Sequence, residues 1–127
     1  MPGQRPVLIV DDDRDIREAL ADLLADQGFS VLTAENGLEA LKLLRSAIAP
    51  PSAILLDLMM PIMDGYGFLE EREKDPSLAS IPVAIITAGH GVEPSLLGKA
   101  PILPKPIDVP RLVSVLHGLS SGAGAPP

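Results

Sequence analysis

Apolar residues along the chain fall into two kinds of run, and the two kinds alternate. Val7–Val10, Ala53–Leu56 and Pro82–Ile86 are short and unbroken. Runs of that length, apolar at every position, predict strands buried on both faces. Between them the spacing changes to that of a helix. Ile16, Ala19, Leu20, Leu23 and Leu24 recur on one face, with Gly28 placed as a C-terminal stop. Leu38, Leu41 and Leu44, with Ala40 and Ala47, predict a second helix closed by Pro50–Pro51. Tyr66–Lys74 reads as a third. Leu112, Val113, Val115, Leu116 and Leu119 mark a last helix that Asp108 can cap. Ser30–Ala34 alternates as a short strand, and Ile102–Leu103 makes a brief fifth. Strands alternating with helices imply right-handed crossovers and one α/β domain, a doubly wound five-stranded parallel sheet.

The rhythm fails once. A helix is due between Thr87 and Ile102, yet Gly89, Gly91, Pro94 and Gly98 leave room for about one turn starting at Pro94. The fourth helix is therefore expected to be short or missing. A thinner helix layer should leave apolar sheet surface near Ile86 and Leu103 partly uncovered. Residues 1–5 read as an N-terminal extension, 6–119 as the domain, and the Gly/Ala/Pro-rich 120–127 as a disordered tail.

Composition narrows the picture. The chain is 46% hydrophobic but 2% aromatic, so its core must be aliphatic. No apolar run approaches the roughly 18–20 residues that span a bilayer, and the first residues lack the pattern of a secretory signal. Without cysteine there is no disulfide, thiol nucleophile or thiolate metal site, and two histidines make a poor zinc set. A net charge of −7 argues against direct nucleic-acid binding and suits the cytoplasm.

Candidate chemistry sits where the strands end. Open parallel sheets collect reactive groups at the carboxyl ends of their strands. Here those ends carry Asp11 and Asp12, then Asp57, Thr87 and Lys105. Three converging carboxylates repel one another and call for a cation. Magnesium takes hard oxygen ligands and keeps waters that a phosphoryl oxygen can replace. Taken singly, these residues have plainer roles. Asp13 is expected to cap the first helix, Thr87 suits a strand, and Lys105 suits solvent. His90 in its loop and His117 near a helix end are read as structural, and Met59, Met60 and Met63 as loop packing.

Four segments in order, VLIVDDD (7–13), AILLDLMMPIMDG (53–65), VAIITA (83–88) and LPKPID (103–108), resemble the CheY-like receiver domain of two-component response regulators. The resemblance spans residues 6 to 119. It implies a flavodoxin-like sheet of order 2-1-3-4-5. It implies that Asp57 accepts a phosphoryl group from a sensor histidine kinase or a histidine phosphotransfer protein in a phosphorelay. Magnesium, or manganese, would be held by Asp12, by Asp11 largely through water, by Asp57 and by the backbone carbonyl of Met59. Thr87 would donate its hydroxyl to the phosphoryl group and Lys105 would pair with another oxygen, its bond to Pro106 being cis. Such a domain is no ordinary enzyme; it catalyses only its own magnesium-dependent phosphorylation and dephosphorylation.

The chain departs from the family in two places. The aromatic residue usual three positions before the lysine is Ile102. Met59 and Gly89, which flank the acceptor, offer no acid, base or amide to orient water, so a phosphoryl lifetime of minutes or longer is expected. Output should run through a downstream protein or a homodimer, by way of Leu96–Leu97 and the last helix, without nucleic acid or membrane. Two other functions compete. An unphosphorylated docking module would have lost an acid or the lysine. An aspartyl phosphatase would need an acid two residues beyond Asp57, where Met59 stands, and a larger cap.

Overall fold

A computed structural model describes residues 5–46, 49–89 and 92–122. Its elements are β1 (Val7–Val10), α1 (Arg14–Asp26), β2 (Val31–Ala34), α2 (Gly37–Ser46), β3 (Ala53–Asp57), α3 (Gly65–Glu73), α4 (Pro76–Ala79), β4 (Val83–Thr87), β5 (Ile102–Pro104) and α5 (Val109–Gly122). All strand pairs are parallel, in the order β2-β1-β3-β4-β5. The doubly wound sheet is thus as expected. Register sets the functional edge: Val10 pairs with Leu56, Asp57 with Ile86, and Thr87 with Pro104. The strands therefore finish level, and the polar residues after each apolar run emerge side by side.

Alternation along the strands sorts the core into two layers. Leu8, Val10, Ile54, Leu56 and Ile85 cluster with Leu41 and Leu44 of α2 and Phe68 of α3. Val7, Ile9, Leu55, Ile86 and Leu103 cluster with Leu20 and Leu24 of α1 and Leu112 and Leu116 of α5. β1, β3 and β4 are buried throughout, which explains why their sequences are apolar at every position.

The helix ends follow local chemistry. The side chain of Asp13 accepts from the Ile16 amide at 3.2 Å and caps α1. Gly28 closes that helix at φ +95°, a left-handed conformation suited to glycine. Asp108 accepts from the Arg111 amide at 3.3 Å at the start of α5. The Lys105–Pro106 peptide bond is cis.

Between β4 and β5 the helix is reduced to one 3-10 turn, Pro94–Leu96, with Pro94 first. Three expectations need correction, and one further helix was not foreseen. Ile86 and Leu103 are fully covered, because strand parity points both toward α1 and α5, away from the thinned layer. On the opposite face, Leu97 is only 5% exposed and joins the core that contains Val83 and Ile85. Of the pair Leu96–Leu97, only Leu96 lies at the surface. A four-residue helix, α4, precedes β4, capped by Asp75 through the Ser77 amide at 3.0 Å. Finally, α5 runs through Gly122, three residues into the segment expected as tail. Ala47, His90 and the remainder of that tail lie outside the described residues.

Candidate functional site

Asp11, Asp12 and Asp57 each present a carboxylate oxygen within 4.8 Å of the others. Asp11 and Asp57 are buried and Asp12 is exposed, so the cluster opens to solvent on one side. Lys105 reaches into it, with Nζ 3.7 Å from Asp57 Oδ2 and 3.9 Å from Asp11 Oδ2. The lysine is aimed from the end of β5, where its amide donates to the Thr87 carbonyl at 2.8 Å.

Each of the two buried acids accepts from a backbone amide. Asp11 Oδ1 accepts from the Asp13 amide at 2.9 Å, and the Asp11 carbonyl accepts from Arg17 Nη1 at 2.9 Å. Asp57 Oδ1 accepts from the Met59 amide at 3.3 Å. Burial outweighs these bonds and pushes the Asp11 carboxyl up to about 6; the Asp13 amide opposes the rise, and the charge of Asp57 adds to it. Asp57 is raised as well, chiefly by burial, against the pull of Lys105 and the Met59 amide. Asp11 Oδ2 is buried without a hydrogen-bond partner among the described residues. A buried carboxylate oxygen that makes no hydrogen bond, with an ammonium no nearer than 3.9 Å and two further acids beside it, fits a hard cation that takes oxygen ligands.

Thr87 is buried at the end of β4, one residue beyond the partner of Asp57 in the sheet. Its Oγ accepts from the Gly89 amide at 3.1 Å, which leaves the hydroxyl proton free to be donated elsewhere. Asp11, Asp12, Asp57 and Lys105 are thus brought together, with Thr87 on the adjoining strand.

The loop after Asp57 is held by close packing. The Gly65 amide donates to the Leu58 carbonyl at 2.9 Å, and Asp64 caps α3 through the Gly67 amide at 2.9 Å. A Cβ on Gly65 would lie 2.8 Å from both the Asp57 carbonyl oxygen and Leu58 Cα. Backbone atoms cannot swing aside as a side chain can, so Gly65→Ala should destabilise the chain by about 2 kcal/mol, measured by urea denaturation. Wild-type stability in that variant would show that the approach is looser than this.

Met60 and Met63 pack against the core as loop residues, but Met59 is 61% exposed and does not. Sequence reasoning missed two features. Arg17 ties α1 to the Asp11 carbonyl, and Ile62 stands exposed at φ +70°. The first has a sequence trace in its place on α1, six residues past Asp11. The second has none.

The response regulator receiver domain family matches residues 7–117. A response regulator receiver protein of Anaeromyxobacter sp. (strain Fw109-5) is 41% identical over 113 residues, covering 87% of this chain and 47% of that protein. A CpxR homolog of Haemophilus influenzae, a transcriptional regulatory protein, is 36% identical over 124 residues, covering 94% of this chain and 52% of that protein. The chain therefore spans about half the length of these curated relatives. Among solved structures, the receiver domain of the Francisella response regulator 1452 is similar, with a TM-score of 0.81 at 28% identity, covering 92% of this chain and 97% of that one. The Vibrio cholerae chemotaxis protein CheY4 gives a TM-score of 0.81 at 28% identity, covering 92% and 99%.

Proposed function

This chain belongs to the response regulator receiver domain family of two-component systems, and from that membership we propose that it is a phospho-acceptor switch charged at Asp57. The observation that carries the reading is a buried carboxylate at the end of the central strand, with an ammonium group 3.7 Å away and two further acids beside it. The donor would be a phosphohistidine on a histidine kinase or phosphotransfer protein. An Asp57 carboxylate oxygen forms a bond to phosphorus as the bond from phosphorus to the imidazole nitrogen breaks, and the imidazole leaves with the bonding pair.

A carboxylate meeting a polyanion needs positive charge and fixed geometry. Magnesium or manganese, held by Asp11, Asp12, Asp57 and the Met59 carbonyl, would neutralise charge on the transferring group. Lys105 would pair with one phosphoryl oxygen. Thr87 would donate its free hydroxyl proton to another, and the Asp13 and Arg17 contacts would keep Asp11 in place. Output would pass through protein contacts; with Leu97 in the core, Leu96 is the residue of that pair able to make them.

The test is to incubate the purified chain with magnesium and phosphoramidate, then map the product by borohydride reduction of the acyl phosphate. A single phosphoryl group at Asp57 is expected. Label elsewhere, or none, would overturn the reading. Absent label with retained partner binding would favour the docking module, and sustained turnover of a phosphomonoester would favour the phosphatase. Because neither the apolar Met59 side chain nor Gly89 can orient a hydrolytic water, the isolated phosphoprotein should lose its label over minutes or longer. Loss within seconds would count against this view of the site.

A further inference from the structure

Every other crossover between neighbouring strands carries a full helix, but among the described residues the one from β4 to β5 carries a single 3-10 turn, Pro94–Leu96. The sheet is closed there all the same, because Leu97 packs into the core beside Val83 and Ile85. What the missing helix leaves open is the flank of α3. A cavity of about 440 Å³ lies between α3 and the turn, with Tyr66, Leu69, Glu70, Glu73 and Leu96 in its lining. A second, of about 350 Å³, shares Leu69, Glu73 and Leu96 and continues to Pro82 and Pro101. Tyr66, Leu69, Glu70 and Glu73 are spaced i, i+3, i+4 and i+7, one face of a helix, so the two cavities form a groove along α3. The Tyr66 hydroxyl accepts from the Glu93 amide at 2.7 Å and fixes the near end of that groove.

Charge and edge chemistry narrow the occupant. Leu69 and Leu97 are buried at the floor, while Leu96 stands beside them 59% exposed. Glu70, Glu73 and Glu93 are exposed around the near half and form no ion pair among the described residues. The cations Arg72 and Lys99 line only the far half, and Arg72 is already held by the Ala79 and Ile81 carbonyls. An added strand is excluded by β5, which contains Pro104 and is flanked by Pro101 and Pro106, all without an amide to donate. A second copy would bring a net charge of −7 to an acidic rim. A helix with an apolar stripe flanked by Lys or Arg suits both the floor and the rim.

We propose that the groove between α3 and the Pro94–Leu96 turn receives a basic amphipathic helix of another protein, lying where this crossover lacks a helix of its own. The inference names the partner for the protein-contact output proposed above and rests on that reading. It uses no residue of the acidic cluster.

The test titrates the full, isotopically labelled chain with a panel of ~14-residue peptides, about four helical turns each. All carry Leu at i, i+3, i+4 and i+7, and their polar faces are either Lys-rich or Glu-rich. The Lys-faced peptides should shift the amides of Tyr66, Leu69, Glu73 and Leu96 and bind about tenfold tighter than the Glu-faced ones, less so in high salt. Leu96→Ser, and separately Glu70→Gln with Glu73→Gln, should each weaken them about fivefold. Both variants should melt within ~2 °C of wild type, because the altered side chains are exposed. No binding, equal binding of the two peptide classes, or shifts confined to other faces would overturn the inference. So would self-association of the free chain that Leu96→Ser abolishes, which would make the occupant a second copy. Phosphoramidate labelling of wild type is measured beside this. A chain labelled at Asp57 that binds no peptide keeps the acceptor role and loses the groove. One that binds the Lys-faced peptides but takes no label keeps the groove and loses the acceptor role.

Discussion

Asp57→Asn is expected to abolish magnesium-dependent phosphoryl labelling and also to raise the melting temperature of the metal-free protein near neutral pH. The first effect follows from chemistry, since an amide oxygen is a poor nucleophile and the acyl phosphate cannot form. The second follows from electrostatics. Burial holds the Asp57 carboxyl above its ordinary value despite Lys105, so its ionised form is a net cost to the fold at neutral pH. Asparagine has the same shape, and its Oδ1 can still accept from the Met59 amide. The charge of Asp57 is also one of the causes that raise Asp11, so removing it eases that second buried carboxylate. Each unit by which a carboxyl is relieved corresponds to about 1.4 kcal/mol, a shift of several degrees in a domain of this size.

The sign can be checked with pH. A carboxyl raised in the folded state favours folding below its unfolded value, and that contribution is lost as pH rises through the folded value. The advantage of Asp57→Asn should therefore grow as pH rises above the ordinary carboxylate value and shrink as pH falls back toward it. Calorimetry across that range, with mass spectrometry for the label, measures both effects. Label that survives the substitution would place the acceptor elsewhere. A lower melting temperature near neutrality would show that the pairing of Asp57 with Lys105 outweighs its burial.

The site was legible in the sequence because burial and strand ends are written in residue order. An unbroken run such as Val7–Val10 announces a covered strand, and the acids directly after it mark where that strand leaves the sheet. What stayed hidden depends on parity and on contacts distant in sequence. Ile85 and Ile86 read alike, yet a single step puts one on each face of the sheet. Leu96 and Leu97 are adjacent, and one is exposed while the other is core. The four residues of α4 are too few to show a period. Their setting depends on Arg72 Nη2, which bonds the Ala79 and Ile81 carbonyls at 2.8 and 2.7 Å from the neighbouring helix. Backbone strain at Ile62 leaves no mark in composition or spacing. It is visible only as a dihedral angle.

Magnesium should stabilise the chain strongly near neutral pH and hardly at all near pH 5, with Asp11 as the main reason. Its carboxyl rises from 3.8 to about 6, a gap worth roughly 3 kcal/mol between its protonated and ionised forms. By the same linkage, the metal-free protein has this contribution in full below 3.8 and loses it as pH climbs through about 6. Without metal, stability should therefore rise on mild acidification. Asp75 works in the opposite sense, because the Ser77 hydroxyl and amide hold it below its ordinary value. Its contribution is lost only at lower pH and does not intrude between about 5 and 7. A hard cation needs the carboxylate ionised, so binding must expel the Asp11 proton wherever it is present. Affinity should then fall by up to about tenfold per pH unit below 6. Melting curves with and without magnesium at the two pH values should converge at the acidic one. Titration calorimetry in buffers of different ionisation enthalpy should detect the released proton. Asp11→Asn should remove most of the magnesium response and flatten the pH profile together. A magnesium effect of equal size at both pH values would mean that the ion binds without Asp11.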